Sequence, residues 1–159
     1  MPPSIALTQA QIGKAGELFV QMQLLLLGIE SAPMSTDTGI DLVAYSSAKK
    51  FPLTIQVKAN LRPKRAGGKG KLHLDWWIPE NSPAVLQALV DLSTPQCWLL
   101  TNAELESVAQ QRSGGKFHIY MYTDLTHKPR DKARKNFIHE FDSFTLSNRS
   151  RAAFERPGG

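Results

Sequence analysis

The sequence predicts an α/β fold in which a central mixed β-sheet is flanked by helices, in an α-β-β-β-α-β-like order. The segment 8–27 spaces its apolar residues as an amphipathic helix does, and three segments rich in β-branched and apolar residues follow it. The chain has 159 residues, of which 42% are hydrophobic and 21% charged, as is typical of a globular protein. We therefore expect a single domain over 1–159, with a core over about 8–146 and a frayed tail over 147–159.

The first helix has clear start and stop signals. Thr8 and Gln11 form a capping-box pattern, and Gly28 ends the helix after Leu27. Gly13 and Gly16 each weaken a helix by roughly 1 kcal/mol relative to Ala, which predicts close approach to the sheet or to a ligand. The apolar face expected to pack on the sheet consists of Ile12, Ala15, Phe19, Met22 and Leu26.

A short strand over Ile29–Met34 and a hairpin of Ile40–Ser46 and Phe51–Ala59 follow the helix. The two-residue period of a strand puts Ile55 and Val57 on one face, and Gln56 and Lys58 on the other. A buried Lys58 without a partner would be costly. Asp41, at the start of the neighbouring strand, is its predicted partner.

Later segments are less uniform. Leu72–Pro79 alternates as a strand and puts Trp76 and Trp77 on opposite faces, so that one is in the core. The outward tryptophan can stack on a base or sugar, although core packing or a dimer contact fits equally well. The segment 85–92 is ambiguous between strand and short helix, and we favour a strand paired with 97–101.

Asn102 is predicted to cap a helix that runs to about Arg112, and Phe117–Tyr122 is predicted to be a strand. From Thr123 the chain becomes polar and basic, which indicates a second basic surface element. The segment 137–146 is expected to return to the core as a strand or a short helix.

Charge and cysteine content narrow the function class. The formal net charge of +5 favours an anionic partner, of which nucleic acid is the commonest, although a solvated basic surface fits the same number. Cys97 is the only cysteine, so no intramolecular disulfide forms, and we expect a buried thiol. No apolar run is long enough for a membrane span, and the N-terminus lacks signal-peptide features. We expect a cytoplasmic protein without a membrane partner.

The segment 60–71 is strongly basic and contains no acidic residue. Such a segment can be a mobile arm that follows phosphates, or merely a soluble surface loop. Its position directly after Lys58 favours the first interpretation. The predicted nucleic-acid-binding residues are Lys14, Arg62, Lys64, Arg65, Lys69 and Lys71.

The N-terminal third carries a set of polar residues with a distinctive order. Glu17 lies on the first helix in Gly-Lys-Ala-Gly-Glu, Asp41 follows Gly39-Ile40, and the next strand reads Ile-Gln-Val-Lys. Alone, Glu17 would read as an exposed glutamate paired with Lys14 or Gln21. The combined order resembles the PD-(D/E)XK nuclease superfamily, which is restriction-endonuclease-like, and in particular its small Holliday-junction-resolvase-like members. The resemblance covers roughly residues 11–60.

The resemblance implies a metal-dependent endonuclease that hydrolyses phosphodiester bonds of DNA, with Mg²⁺ or Mn²⁺ as cofactor. The implied partners are branched or double-stranded DNA and a second copy of the chain, as a homodimer. Position 56 is Gln where most members have Glu or Asp, which removes one negative charge from the implied metal site. The alternative function is therefore a nuclease-fold DNA-binding module with weak or no catalysis. The implied catalytic residues are Glu17, Asp41, Gln56 and Lys58, and the implied metal ligands are Asp41, Glu17, Gln56 and Val57.

Asp37 is a second acidic residue close to Asp41 in the chain. It lies in the segment Ser-Thr-Asp-Thr-Gly, whose residue types are typical of a turn and whose hydroxyls are suited to contact a phosphate. We interpret Asp37 as a turn residue.

Overall fold

A computed structural model describes residues 5–46 and 52–154. The predicted turn between the two strands of the first hairpin falls largely in 47–51 and therefore lies outside the described residues. The α/β class and the central mixed sheet are confirmed.

Helix α1 spans Gln9–Leu26 and begins with the predicted capping box between Thr8 and Gln11. The predicted face is confirmed at Ile12, which is buried, and at Phe19, which packs against the core. It is wrong at Met22 and Leu26, which are exposed, whereas Gly16, Val20 and Leu24 point into the core. The segment 24–27 is leucine throughout, so its periodicity does not select one face. Gly16 decides the contact, since a Cβ there would lie only 2.6 Å from the Cβ of Ala59 on the sheet.

The central sheet has five strands in the order β1-β2-β3-β6-β7. These are β1 Glu30–Pro33, β2 Leu42–Tyr45, β3 Leu53–Asn60, β6 Leu86–Asp91 and β7 Gln96–Thr101. Only the β3–β6 pair is parallel; the other three pairs are antiparallel. The ambiguous segment 85–92 is thus a strand, and its predicted hairpin with β7 is confirmed.

The connection between β3 and β6 contains the strand that was predicted over Leu72–Pro79. A second sheet has the order β4-β5-β9-β8, with β4 Lys64–Arg65, β5 Leu72–Pro79, β8 Gln111–Ser113 and β9 Lys116–Tyr122. A 3₁₀ turn at Ala66–Gly68 joins β4 to β5. The basic segment 60–71 therefore enters the second sheet and is not a free arm.

Two hydrophobic clusters lie on opposite faces of the central sheet. On β6, Ala88 and Val90 pack with Val20 and Leu24 of α1 in the first cluster, whereas Leu89 belongs to the second. The second cluster joins the central sheet to the inner face of the second sheet, which includes Leu74, Trp76, Ile78, Phe117, Ile119 and Met121. Trp76 is 3% exposed and Trp77 is 40% exposed, so the tryptophan on the core side is Trp76.

Helix α2, Asn102–Val108, begins one residue earlier than predicted, since Thr101 and not Asn102 is its N-cap. It also ends sooner, because β8 begins at Gln111 and pairs with β9. The segment 137–146 returns to the core as a 3₁₀ helix over Ile138–Phe144.

The predicted frayed tail is wrong for 147–154. Helix α3 spans Leu146–Phe154, and both terminal residues are buried in the first cluster. The hydroxyl of Ser46 also donates a 2.6 Å hydrogen bond to the carbonyl of Phe154. A buried apolar side chain at each end and this hydrogen bond hold the helix on the core. Residues 155–159 lie outside the described residues.

Cys97 is buried as predicted, and burial raises the pKa of its thiol to about 12. Such a thiol stays protonated near neutral pH and acts as a small apolar side chain.

No helix among the described residues is both long and apolar enough to cross a membrane.

Candidate active site

A cleft of about 470 Å³ lies where α1, the segment before β2 and the middle of β3 meet. Gly13, which has open space where a Cβ would be, lies on its wall. The predicted catalytic residues and metal ligands all line this one cleft, together with Lys14: Glu17, Asp41, Gln56, Val57 and Lys58.

Asp41 is held firmly by the strands around it. Its amide donates to the carbonyl of Ile55, and its own carbonyl accepts from the amide of Met34, both at 2.9 Å. Its carboxylate Oδ2 accepts a 2.7 Å hydrogen bond from the amide of Val57. The acid therefore bridges to β3 and has little freedom to turn away from the cleft.

Burial raises the pKa of the Asp41 carboxyl above its ordinary value. The Val57 hydrogen bond opposes this rise, and the negative charge of Glu17 adds to it. The site thus gathers negative charge in a partly desolvated place, where a bound cation would lower the electrostatic free energy.

Glu17 forms an ion pair with Lys14, whose Nζ lies 3.1 Å from Oε2. This is the pairing expected of an ordinary helix glutamate, yet the Glu17 side chain is only 22% exposed and faces the cleft. The two residues are three positions apart on the helix, so Lys14 brings a positive charge to the mouth of the cleft beside Glu17.

Gln56 is buried and takes part in a polar network that the sequence did not reveal. Its Oε1 accepts a 3.1 Å hydrogen bond from the hydroxyl of Ser82. The same hydroxyl accepts a 2.8 Å hydrogen bond from Nε2 of Gln87. Gln87 lies beside Gln56 in the parallel β3–β6 register and is fully buried, although its own Oε1 has no partner among the described residues. The one feature of the sequence that indicated this network was Gln87, a glutamine in the middle of an otherwise apolar strand.

Lys58 is partly buried and lines the cleft. Within 5–46 and 52–154 it forms no ion pair at 4.0 Å or less, so the predicted contact with Asp41 is wrong. The Asp41 carboxylate turns instead to the Val57 amide. The charge of Lys58 still lowers the pKa of Asp41, so the two groups interact at longer range. The ammonium is thereby left available for a ligand.

Asp37 also lines the cleft, with the two hydroxyl residues Ser35 and Thr36 that precede it. Its negative charge contributes to the raised pKa of Asp41. Asp37 lies between β1 and β2, outside both strands, and the interpretation as a turn residue missed its place at the cleft.

The basic residues after Lys58 are partly engaged within the protein. Lys64 lies 2.9 Å from Oδ1 of Asp75, and Arg65 Nη1 donates to the carbonyl of Gly70 at 3.3 Å. Lys71 lies at 4.0 Å from Asp124. The Lys64 side chain remains 62% exposed, so a charged ligand has access to it.

The described part of the chain holds no group of three or more His, Cys, Asp or Glu side chains arranged to bind a metal ion. The cleft offers two carboxylates, Glu17 and Asp41, with Asp37 nearby. Gln56 stands where a further acid would raise the number of anionic donors.

Comparison with solved structures supports the fold. The chain is similar to the bacterial homing endonuclease I-Ssp6803I, with a TM-score of 0.55 and 16% identity, over 92% of this chain and 97% of that one. It also matches the Holliday junction resolvase Hjc of Archaeoglobus fulgidus with a TM-score of 0.46 and 16% identity, over 67% of this chain and 82% of that one. The sequence matches no protein-family profile and no curated protein. The likeness to the homing endonuclease shows that the two proteins share a fold.

Proposed function

We propose that this protein is a metal-dependent endonuclease that hydrolyses phosphodiester bonds of DNA. The observation that carries the proposal is the convergence of Glu17, Asp41, Gln56 and Lys58 on one cleft, although they come from α1, the segment just before β2, and β3. The nuclease-like fold and the net charge of +5 support it independently.

The donors of the cleft suit Mg²⁺ or Mn²⁺, because they are all oxygen atoms. The ligands would be the carboxylates of Asp41 and Glu17, the amide oxygen of Gln56 and the carbonyl of Val57. Oδ2 of Asp41 is engaged by the Val57 amide, which fixes the orientation of the carboxylate toward the cleft. When bound, the ion would supply positive charge to the phosphate and lower the pKa of a coordinated water.

Two lysines have distinct roles in this proposal. Lys58 has no ion-pair partner in the described ranges, so its ammonium can stabilise the negative charge that develops on the phosphate. Lys14 is paired with Glu17 and more exposed, so it contacts the DNA backbone beside the cleft. The basic residues Arg62, Lys64, Arg65, Lys69 and Lys71 extend that contact.

A second candidate function is a nuclease-fold DNA-binding module with weak or no catalysis. Its support is Gln56, a neutral residue whose Oε1 already accepts a hydrogen bond from Ser82. A neutral and partly occupied donor binds a hard cation more weakly than a free carboxylate does.

Incubation with supercoiled plasmid separates the two functions. The enzyme should nick or linearise the plasmid with Mg²⁺ or Mn²⁺, and EDTA should stop the reaction. Binding of the same plasmid without any cleavage in either metal would favour the binding module.

We further propose that the protein acts in the cytoplasm. We also propose that it forms a homodimer, because two active sites are needed to cut both DNA strands. The apolar surface for the dimer lies on α1, where Leu18, Met22 and Leu25 are each more than half exposed. This stripe presents more apolar area than Trp77, the dimer contact considered from the sequence. Light scattering of the eluting protein measures the assembly directly, and a monomer mass at working concentration would contradict the dimer.

A further inference from the structure

The outer face of the second sheet carries a row of rings that the proposed active site does not use. Alternate residues of β5 and β9 point outward and lie side by side, as the pairs His73–Tyr122 and Trp77–His118 show. The ring-bearing residues among them are His73, Trp77, His118, Tyr120 and Tyr122, and His127, which follows β9, stacks on Tyr122. We call these six residues the ring row.

The rings of the row lie in contact with each other. The Trp77 and His118 rings are parallel within 7°, with centroids 4.0 Å apart. At the other end, Tyr122 and His127 are parallel within 9°, with centroids 3.5 Å apart. Tyr120 joins the two pairs through edge contacts of 5.3 and 5.7 Å. The row therefore crosses the face without interruption.

Asp75 fixes the row from within the sheet. Its Oδ2 lies 2.9 Å from Nε2 of His118, and its Oδ1 lies 2.9 Å from the ammonium of Lys64. Nδ1 of His73 lies 2.8 Å from the carbonyl of Lys64. A set of rings held in place by buried polar contacts loses little conformational entropy when it binds a flat ligand.

The row ends in a cleft of about 410 Å³, which is large enough for a small ligand. Tyr120, Tyr122 and His127 form its ring-bearing wall, and the guanidinium of Arg130 brings positive charge to it. Arg134 also lines the cleft, but it forms an ion pair with Asp131 and donates to the carbonyl of Ala109. Rings beside guanidinium groups are suited to a ligand that combines a planar base with a phosphate.

Positive charge is concentrated in the segments that contain the four strands of this sheet. The segments 60–79 and 111–137 hold twelve of the 19 Lys and Arg residues but only three of the 14 acidic residues, a formal charge of +9. The remainder of the chain has a formal charge of −4. A charge separation of this size within one chain indicates a polyanionic partner for the positive part.

The exposed rings favour single-stranded DNA over duplex DNA. In a duplex the faces of the bases are already stacked on each other, so the rings of the row cannot reach them. Unpaired bases expose their faces and can stack on aromatic side chains. Trp77 is 40% exposed, which leaves ring surface free for such contact.

We propose that the outer face of the second sheet binds an unpaired DNA strand, whose bases stack on the ring row and whose phosphates contact the surrounding basic residues. The identity of the polymer as DNA rests on the proposed function, and the inference narrows its substrate to DNA with a single-stranded segment. Lys64 is six positions after Lys58, a reach of at most about 20 Å, so such a segment can lie close to the cleft.

Fluorescence anisotropy of a labelled thymidine oligonucleotide and of a duplex of equal length, both in EDTA, tests the inference. The wild-type protein should bind the single strand more tightly than the duplex. Trp77→Ala should weaken single-strand binding by about tenfold or more, as the loss of one stacked base does, with little effect on the duplex. Trp77→Phe should retain most of the affinity.

Val85→Ala is a matched control, because Val85 is an exposed apolar residue outside both basic segments. It should bind both oligonucleotides as the wild type does. Intrinsic fluorescence gives a second readout: Trp76 and Trp98 are buried, so quenching by the single strand should arise from Trp77 and persist in Trp76→Phe.

Equal affinity of the wild type for single strand and duplex would overturn the inference, and so would wild-type single-strand binding by Trp77→Ala. Because binding is measured without metal, single-strand binding without plasmid cleavage would sink only the proposed nuclease function. Plasmid cleavage without single-strand preference would sink only the present inference.

Discussion

The two sheets of this protein differ in both charge and construction. The central sheet contributes Asp41, Gln56 and Lys58 to a cleft, and hydrogen bonds to strand amides and to Ser82 hold the first two of them. The second sheet contributes a broad face of rings with basic residues around it. Chemistry needs a few groups at fixed distances, whereas binding of a polymer is spread over many weak contacts. The comparison therefore predicts that substitutions in the cleft abolish cleavage, while those on the second sheet weaken binding by degrees.

The largest effect is expected at Asp41. Asp41→Asn keeps an acceptor for the Val57 amide but removes the charge, so plasmid cleavage should fall at least a hundredfold, while DNA binding in EDTA is retained. Asp41→Ala should also abolish cleavage, but it leaves the Val57 amide without its partner at a cost of about 1–3 kcal/mol. Cleavage by Asp41→Asn at the wild-type rate would show that the site assignment is wrong.

The next largest effect is expected for the basic residues near the start of the second sheet. Replacing Arg62, Lys64 and Arg65 together with Gln should weaken binding to all DNA sequences to a similar extent. The slope of log affinity against log salt concentration should decrease in magnitude by about 2 to 3, because each lost phosphate contact reduces that slope by about 0.9. Titrations at several salt concentrations measure both quantities. Wild-type affinity and salt slope in this variant would exclude these residues from the interface.

The next prediction concerns the contribution of the Asp75 carboxylate, which contacts His118 of the ring row, to the free energy of unfolding. Hydrogen bonds from His118 and Lys64 lower the pKa of Asp75 to about 2 from an ordinary value of 3.8. Because the folded-state pKa is the lower one, the carboxylate stabilises the fold fully above about pH 4, and this contribution is lost as the pH falls toward 2. Asp75→Asn should therefore reduce the free energy of unfolding by about 2 kcal/mol at pH 7.

Urea unfolding of wild type and Asp75→Asn at pH 7 and near pH 2.5 measures this contribution. The difference between the two proteins should shrink at the lower pH. Asp142→Asn, which changes an exposed acid outside the second sheet, should have little effect at either pH. A difference that stays constant with pH would contradict the role of the Asp75 charge.

The smallest effect is expected at Gln56. Gln56→Glu keeps the shape of the side chain and an acceptor for Ser82 while adding a negative charge to the proposed ligand set. The Mg²⁺ concentration for half-maximal cleavage should fall several-fold, because a carboxylate binds a hard cation better than an amide does. Gln56→Ala should raise it. An unchanged or higher requirement in Gln56→Glu would count against Gln56 as a ligand.

Local patterns in the sequence were sufficient for several elements of the fold. The capping box at Thr8, the alternation that puts Trp76 and Trp77 on opposite faces, and the hairpin of β6 and β7 all depend on neighbours a few residues apart. The order of Glu17, Asp41, Gln56 and Lys58 also predicted that these residues meet, and they line one cleft.

Other features depended on contacts between distant parts of the chain. The leucines at the end of α1 surround the helix, so only the close fit of Gly16 against Ala59 selected the buried face. Ser82 lies 26 residues beyond Gln56, in a loop with no distinguishing pattern, and reaches it only because β3 and β6 are parallel neighbours.

The ring row is the clearest example of a feature that depends on contacts between distant parts of the chain. Asp75 and His118 are 43 residues apart, and each alone reads as an ordinary polar residue on a strand. The sequence by itself determined that β5 and β9 each have an apolar and a polar face, since the two-residue period of a strand is local. Only the tertiary structure decided that the two polar faces lie side by side, because strand pairing depends on a register set by the whole core.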